Sequence, residues 1–189
     1  MLVIIHGNIK TMESQDYEDG YLQIEDGKIT AVGDMQAYSP EGPAESDKVQ
    51  ILDVKGSLVM PGIIEAHCHM GITEEKKGME GDDCNETVDP ITPYLRAIDA
   101  INPMDAAFND AIRAGITSAM IGPGSANVVG GQFAFLKTHG RSVDRMIVKA
   151  PAAMKVAFGE NPKVNYAGQN TSPATRMAIA AMLREELTK

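Results

Sequence analysis

The stretch that most constrains this chain is an apolar run framed by glycines, Met60-Pro61-Gly62-Ile63-Ile64-Glu65-Ala66-His67-Cys68-His69-Met70-Gly71. Pro61-Gly62 sets a turn, and the short segment behind it has the character of a buried parallel strand. In extended backbone alternate side chains share a face, so His67 and His69 project to one side and Cys68 to the other. Gly71 then lets the chain turn away from the strand end. Two imidazoles on one face form half of a zinc-type coordination shell. A bare His-x-His pair also occurs on exposed edge strands, so the surrounding sequence has to decide.

That surrounding sequence reads as strand, helix, strand. Asn102-Pro103-Met104-Asp105 predicts a helix start, with Asn as N-cap and Pro at the first helical position. Met104, Ala107, Phe108, Ala111 and Ile112 make one apolar face, and Gly115 supplies the stop. Ile116 to Ile121 follows as a second strand, which in this order implies parallel pairing with the first. The loop Gly122-Pro123-Gly124-Ser125-Ala126-Asn127-Val128-Val129-Gly130-Gly131 lacks the Gly-Lys-Ser/Thr of a phosphate loop. Its glycines suit a close-approach loop at a site mouth, supporting ligands or a substrate. Residues 133–138, 145–150 and 152–158 are further extended candidates, and Ser172-Pro173 opens a last helix with Ile179, Met182, Leu183 and Leu187 on one face. That helix meets no Gly or Asn cap before Lys189.

The 57 residues at the start predict a separate small antiparallel β-sandwich segment. Tyr21 to Gly33 alternates apolar and polar residues around Asp26-Gly27, a hairpin of the primed-turn type. Pro40, Gly42 and Pro43 mark a loop, and residues 49–54 resume strand character. His6 reads as a surface or packing residue. Between the histidine pair and Asn102 runs a loop of about thirty residues, long enough to be functional. Its charge run, Glu74-Glu75-Lys76-Lys77, reads as a solvated face, and Cys84 within it as a bystander.

The Pro-Gly-hydrophobic-hydrophobic-acidic-x-His-x-His-x-Gly pattern resembles the amidohydrolase superfamily, in which it marks the first barrel strand after a small β segment. Gly159-Glu160-Asn161-Pro162 is similar to a motif of imidazolonepropionase-like members. The resemblance implies an α/β fold: a (β/α)8 TIM-type barrel, here partial, over residues 58–189. About 130 residues remain for it, where a complete barrel takes about 250. It implies one or two divalent ions, zinc foremost, held by His67 and His69. Some members bridge two metals with a carboxylated lysine and others with a glutamate, so Lys155 and Glu160 both stay open as the bridge. The general-base aspartate is expected beyond the chain end. The implied activity is hydrolysis of carbon–nitrogen bonds other than peptide bonds, in an amide or cyclic amide. The alternative is a catalytically incomplete metal-binding or assembly module that needs a partner chain.

Composition narrows the setting. With 43% hydrophobic residues there is material for a core, and a net charge of -9 without a basic block disfavours nucleic acid or an anionic membrane. Leu2-Val3-Ile4-Ile5 is too short for a membrane span or a signal sequence core. Two cysteines without a CxxC pair fit a reducing cytoplasm. The expected partners are a small-molecule substrate and either further copies of the chain or a complementing C-terminal half.

Overall fold

The computed structural model describes residues 1–13, 15–39 and 49–189. The chain forms two compact units, Met1–Pro61 and Gly62–Lys189, and is mixed α/β.

The first unit is one sheet. Strands β1 (Leu2–Ile9), β2 (Tyr17–Glu25), β3 (Lys28–Asp34), β4 (Gln50–Asp53) and β5 (Leu58–Val59) are ordered β3-β2-β1-β4, with β5 also on β1. The β2–β3 hairpin is as its sequence predicts: Asp26 and Gly27 both adopt positive φ, +50° and +74°, which a primed turn requires. The expectation of a wholly antiparallel sandwich is corrected. β1 pairs antiparallel with β2 but parallel with β4 and β5, because the chain re-enters on the far edge of β1 running in its direction. The loop expected at Pro40, Gly42 and Pro43 lies outside the described residues. Val3 and Ile9, on β1, supply the unit's buried apolar side chains among the described residues. His6 is exposed and pairs through Nδ1 with Asp19 at 3.0 Å.

In the second unit β6 (Ile63–Cys68), α1 (Ala106–Arg113) and β7 (Ile116–Ile121) form the expected strand–helix–strand, and β6 and β7 pair in parallel. The helix begins later than predicted. Its N-cap is Asp105, whose side chain accepts from the Ala107 amide, while Asn102 instead caps the preceding turn by accepting from Met104 N at 3.0 Å. Gly115, at φ +83°, ends the helix as its sequence implies.

The remaining strands depart from a simple alternating barrel. β8 (Val129–Lys137) runs antiparallel to β7, and β9 (Ile147–Val156) antiparallel to β8, giving the order β6-β7-β8-β9. No closed barrel is formed by the described residues. β9 is one strand, not the two short segments predicted around Pro151. The register slips between Phe133 and Phe135 opposite this proline, which sits on the sheet's edge, where a missing backbone donor is tolerated. Because β8 is the reversed strand, β9 runs in the same direction as β6 and β7. The C-terminal ends of those three strands therefore share one rim with the N-terminal end of β8.

Three helices complete the unit: α2 (Val143–Met146), α3 (Glu160–Gly168) and α4 (Arg176–Leu187). Thr175, not Ser172, caps α4. Ile179 on α4 is fully buried against Val128 and Val129, with Met182 and Leu183 packed alongside, whereas Leu187 is exposed. The main core joins Ile121 and Leu136 of the sheet to Phe108 of α1, Met146 of α2, and Ile72 and Ile101 of the long loop. That loop is thus anchored by its own apolar residues, with its charges outside. Meanwhile Ile63 and Ile64 on β6, and Val148, Met154 and Val156 on β9, stay exposed at the two open edges.

Candidate metal centre

The rim holds His67 and His69. Their rings stand edge-on, with centroids 5.4 Å apart and planes at 90°, on the shared face that strand alternation dictates. Cys68 turns to the other face, where its Sγ lies 3.7 Å from the Met120 carbonyl and burial pushes its thiol pKa up.

Each imidazole is held from outside the strand. The Nδ1 of His69 lies 2.7 Å from the Gly122 carbonyl. A carbonyl can only accept, so Nδ1 carries a proton, and the tautomer this selects places the ring's lone pair on Nε2, away from the carbonyl. The ring of His67 packs edge-on against Phe133 of β8, centroids 5.3 Å apart, and its amide donates to Glu65 Oε1 at 3.0 Å. Gly122 serves both histidines: its carbonyl holds His69, and a Cβ there would run into the Phe133 ring that steadies His67. The glycine-rich stretch that reads as a mouth loop therefore acts on the histidine pair through a carbonyl. Phe133 and Gly122 carry no sequence signal of this role, because it depends on which strand lies beside which.

Desolvation first, then the nearby Lys155 ammonium and His69, lower the His67 pKa, with Glu65 opposing. A neutral imidazole is the form that binds metal. Lys155, near the end of β9, is 8% exposed, and its side-chain ammonium makes no hydrogen bond or ion pair among the described residues. Its stem lies 3.2 Å from where a Gly130 Cβ would stand. Burial lowers its pKa, only partly offset by Cys84. Glu160 is elsewhere: it is exposed in the first turn of α3 and pairs with Lys163 at 3.3 Å. The structure thus brings Lys155 to the histidine pair and leaves Glu160 on the surface.

The donor chemistry fits a divalent ion in part. Two imidazoles, one of them oriented by a backbone carbonyl, and a mostly buried lysine that carboxylation would turn into an oxygen donor are suitable components. No group of three or more His, Cys, Asp or Glu side chains that could hold a metal occurs among the described residues.

Beside the rim a cavity of about 400 Å³ is lined by Cys84, Asn85, Arg96, Ala97, Pro123 and Gly130, among others. Behind it lies a buried polar chain. Tyr166 Oη donates to Asn127 Oδ1 at 2.7 Å, Asn127 Nδ2 to Thr92 Oγ1 at 2.9 Å, and Thr92 Oγ1 to the Val129 carbonyl at 3.0 Å. It fastens α3, the mouth loop and the long loop to one another.

No family model matches the sequence. Among solved structures, an amidohydrolase from Thermotoga maritima MSB8 superposes with a TM-score of 0.89 at 37% identity, over 100% of this chain and 47% of that one. Amidohydrolase tasK of Hapsidospora irregularis is 36% identical over 171 residues, 84% of this chain and 17% of that protein. A 5-methylthioadenosine/S-adenosylhomocysteine deaminase of Halalkalibacterium halodurans is 41% identical over 54 residues, 29% of this chain and 11% of the deaminase. The chain spans less than half the length of each. With the histidine pair at the end of β6 and a backbone shared along its whole length with a solved amidohydrolase, the chain belongs to the amidohydrolase superfamily.

Proposed function

We propose that this chain is part of a metal-dependent hydrolase of carbon–nitrogen bonds other than peptide bonds, acting on an amide or cyclic amide. The observation that carries the reading is the His69–Gly122 hydrogen bond, which commits one nitrogen of a paired imidazole and frees the other. The names of the relatives, amidohydrolases and a deaminase, support the C–N bond class.

His67 and His69 would hold the first ion, zinc by family resemblance. Lys155, once carboxylated, is the better-placed candidate to help hold a second, because its mostly buried side chain reaches toward the pair and its ammonium makes no ion pair among the described residues, whereas Glu160 is engaged with Lys163 on the surface. When bound, such an ion supplies Lewis acidity toward a carbonyl and acidifies water. The chain's own residues do the holding: Gly122 fixes a tautomer, Phe133 restrains a ring, and the cavity beside Cys84 and Pro123 offers room for a small substrate. The carboxylate that moves the proton belongs to the remainder of a barrel, which would close over the exposed edges of β6 and β9. The two unpaired cysteines fit a reducing cytoplasm, and among the described residues no helix is long and apolar enough to cross a membrane.

The second reading, a metal-binding or assembly module completed by a partner, rests on the shell itself, to which the described residues bring two imidazoles. Metal content of the chain by mass spectrometry, with a panel of amides and cyclic amides assayed on the complete protein that carries it, tests both. Bound metal and turnover, both lost in His69→Ala, support the hydrolase. Bound metal without turnover supports the module, and no retained metal in the parent chain overturns both.

A further inference from the structure

The turn that follows His69 is held by a single carboxylate from a distant part of the sequence. Asp105 is 5% exposed. Its Oδ2 accepts from Gly71 N at 3.2 Å, and its Oδ1 from Glu75 N at 3.1 Å and Ala107 N at 3.3 Å. A helix N-cap needs one of these bonds, and Ser or Asn would make it as well as Asp. The other two reach back 34 and 30 residues, to the turn and the loop directly after the histidine pair.

That turn is tightly constrained in other ways. The His69 carbonyl accepts from Ile72 N and Thr73 N at 3.1 and 2.9 Å, and the Gly71 carbonyl from Asn102 N at 2.9 Å. Gly71 has φ +74°, and a Cβ on it would lie 2.9 Å from the Phe108 ring and 3.0 Å from the Asn102 carbonyl. The backbone at this point is pressed onto the start of α1, and Asp105 ties the two together through backbone amides, beside a second link in which Asn102 Nδ2 donates to Glu74 Oε2 at 2.6 Å. No ion pair involves Asp105 among the described residues. A carboxylate buried without a cation is costly unless its oxygens are filled by donors, and here three backbone amides fill them. An ionised carboxylate accepts on both oxygens, which neither Asn nor Ser can do.

We propose that Asp105 is a positioning residue for the metal pair: it fixes the turn after β6 so that His69 keeps its hydrogen bond to Gly122 and its free Nε2 toward the metal. This rests on the metal reading above. Asp105 would touch neither metal nor substrate, and acts on His69 through the backbone of Gly71 and Met70.

The test is Co²⁺ binding to the full chain, followed by its visible absorption, in the parent, Asp105→Ser, Asp105→Asn and Thr175→Ala. Ser keeps the cap on α1 but is too short to span to Gly71. Asn keeps the size and the cap while offering one oxygen instead of two. Thr175→Ala removes the cap of α4, whose side chain accepts from Ala178 N at 3.1 Å, and controls for a general loss of helix stability. The expected result is a loss of at least about tenfold in Co²⁺ affinity in both Asp105 variants, the scale set by outer partners of metal ligands. Affinity should be unchanged in Thr175→Ala. If Asp105→Ser fails to fold, Asp105→Asn decides alone. Parent-like affinity in the folded Asp105 variants, or an equal loss in Thr175→Ala, overturns the role of Asp105 and leaves the metal reading standing. No Co²⁺ binding by the parent overturns both.

Discussion

Replacing Tyr166 with Phe removes one hydroxyl from the buried chain that runs through Asn127 and Thr92 to the Val129 carbonyl. The ring stays, so little apolar contact changes. What is lost is the 2.7 Å bond to Asn127 Oδ1, and with Asn127 2% exposed that oxygen is left without a donor. An orphaned buried acceptor costs about 1–3 kcal/mol, so the variant should be less stable than the parent by that amount at pH 7. The difference should then shrink with alkali. Burial, with Asp89 and Glu86 adding to it, pushes the Tyr166 phenol up to about 12. In the unfolded chain the phenol ionises near pH 10, so between about pH 10 and 12 the unfolded state binds fewer protons and stability falls as pH rises. A shift of about two units makes that fall about 2.7 kcal/mol, and the Tyr166→Phe variant, with no phenol at this position, escapes it. Urea unfolding followed at 222 nm is a suitable assay, since the α-helices of the described residues all lie in Gly62–Lys189. The stability of the two chains should converge or cross by pH 12. A gap that is the same at pH 7 and pH 11.5 would refute the argument that folding holds this phenol neutral.

Two other substitutions bear on the site. Lys155→Met should stabilise the chain at pH 7 by about 1 kcal/mol in urea unfolding, because partial desolvation of the lysine's charge is removed while its mostly buried stem is replaced by an apolar one. The lysine's lowered folded pKa makes parent stability climb with pH toward the ordinary value near 10.4, and the variant should lose that slope. Ile64→Lys, at a position 60% exposed on β6, should change the unfolding free energy by no more than about 0.5 kcal/mol in this chain. The same change should prevent co-purification with any segment that closes the barrel over that edge.

Features governed by neighbours in sequence were legible. Asp26-Gly27 announced its turn because two successive positive φ angles admit few residues, and the His67–His69 face followed from the two-residue strand period. The error at α1 is of another kind. Asn102-Pro103 carries a strong local start signal, yet Asp105 takes the cap because its carboxylate also has Gly71 and Glu75 to satisfy, a contact across some thirty residues that no local pattern carries. Pro151 misled in the same way: proline interrupts a strand when its missing N–H is needed, and on the outer edge it is not. The choice between Lys155 and Glu160 was open in the sequence because both stand near the end of one extended segment. Which one faces the histidines depends on where β9 ends and α3 begins.

The position of β6 at the margin of its sheet has a consequence for when the chain is held together. β7, β8 and β9 are joined by short reversals and pair with near neighbours, whereas β6 must wait for the long loop and α1 before it meets β7. Contacts that close long loops form late and open early. The strand that ends at the histidine pair is thus bonded to one neighbour in its sheet. An ion that binds only the closed form would act as a latch on that strand, deepening its protection in proportion to the logarithm of ion concentration over the dissociation constant. In such an arrangement the supply of metal would set how long the edge stays shut.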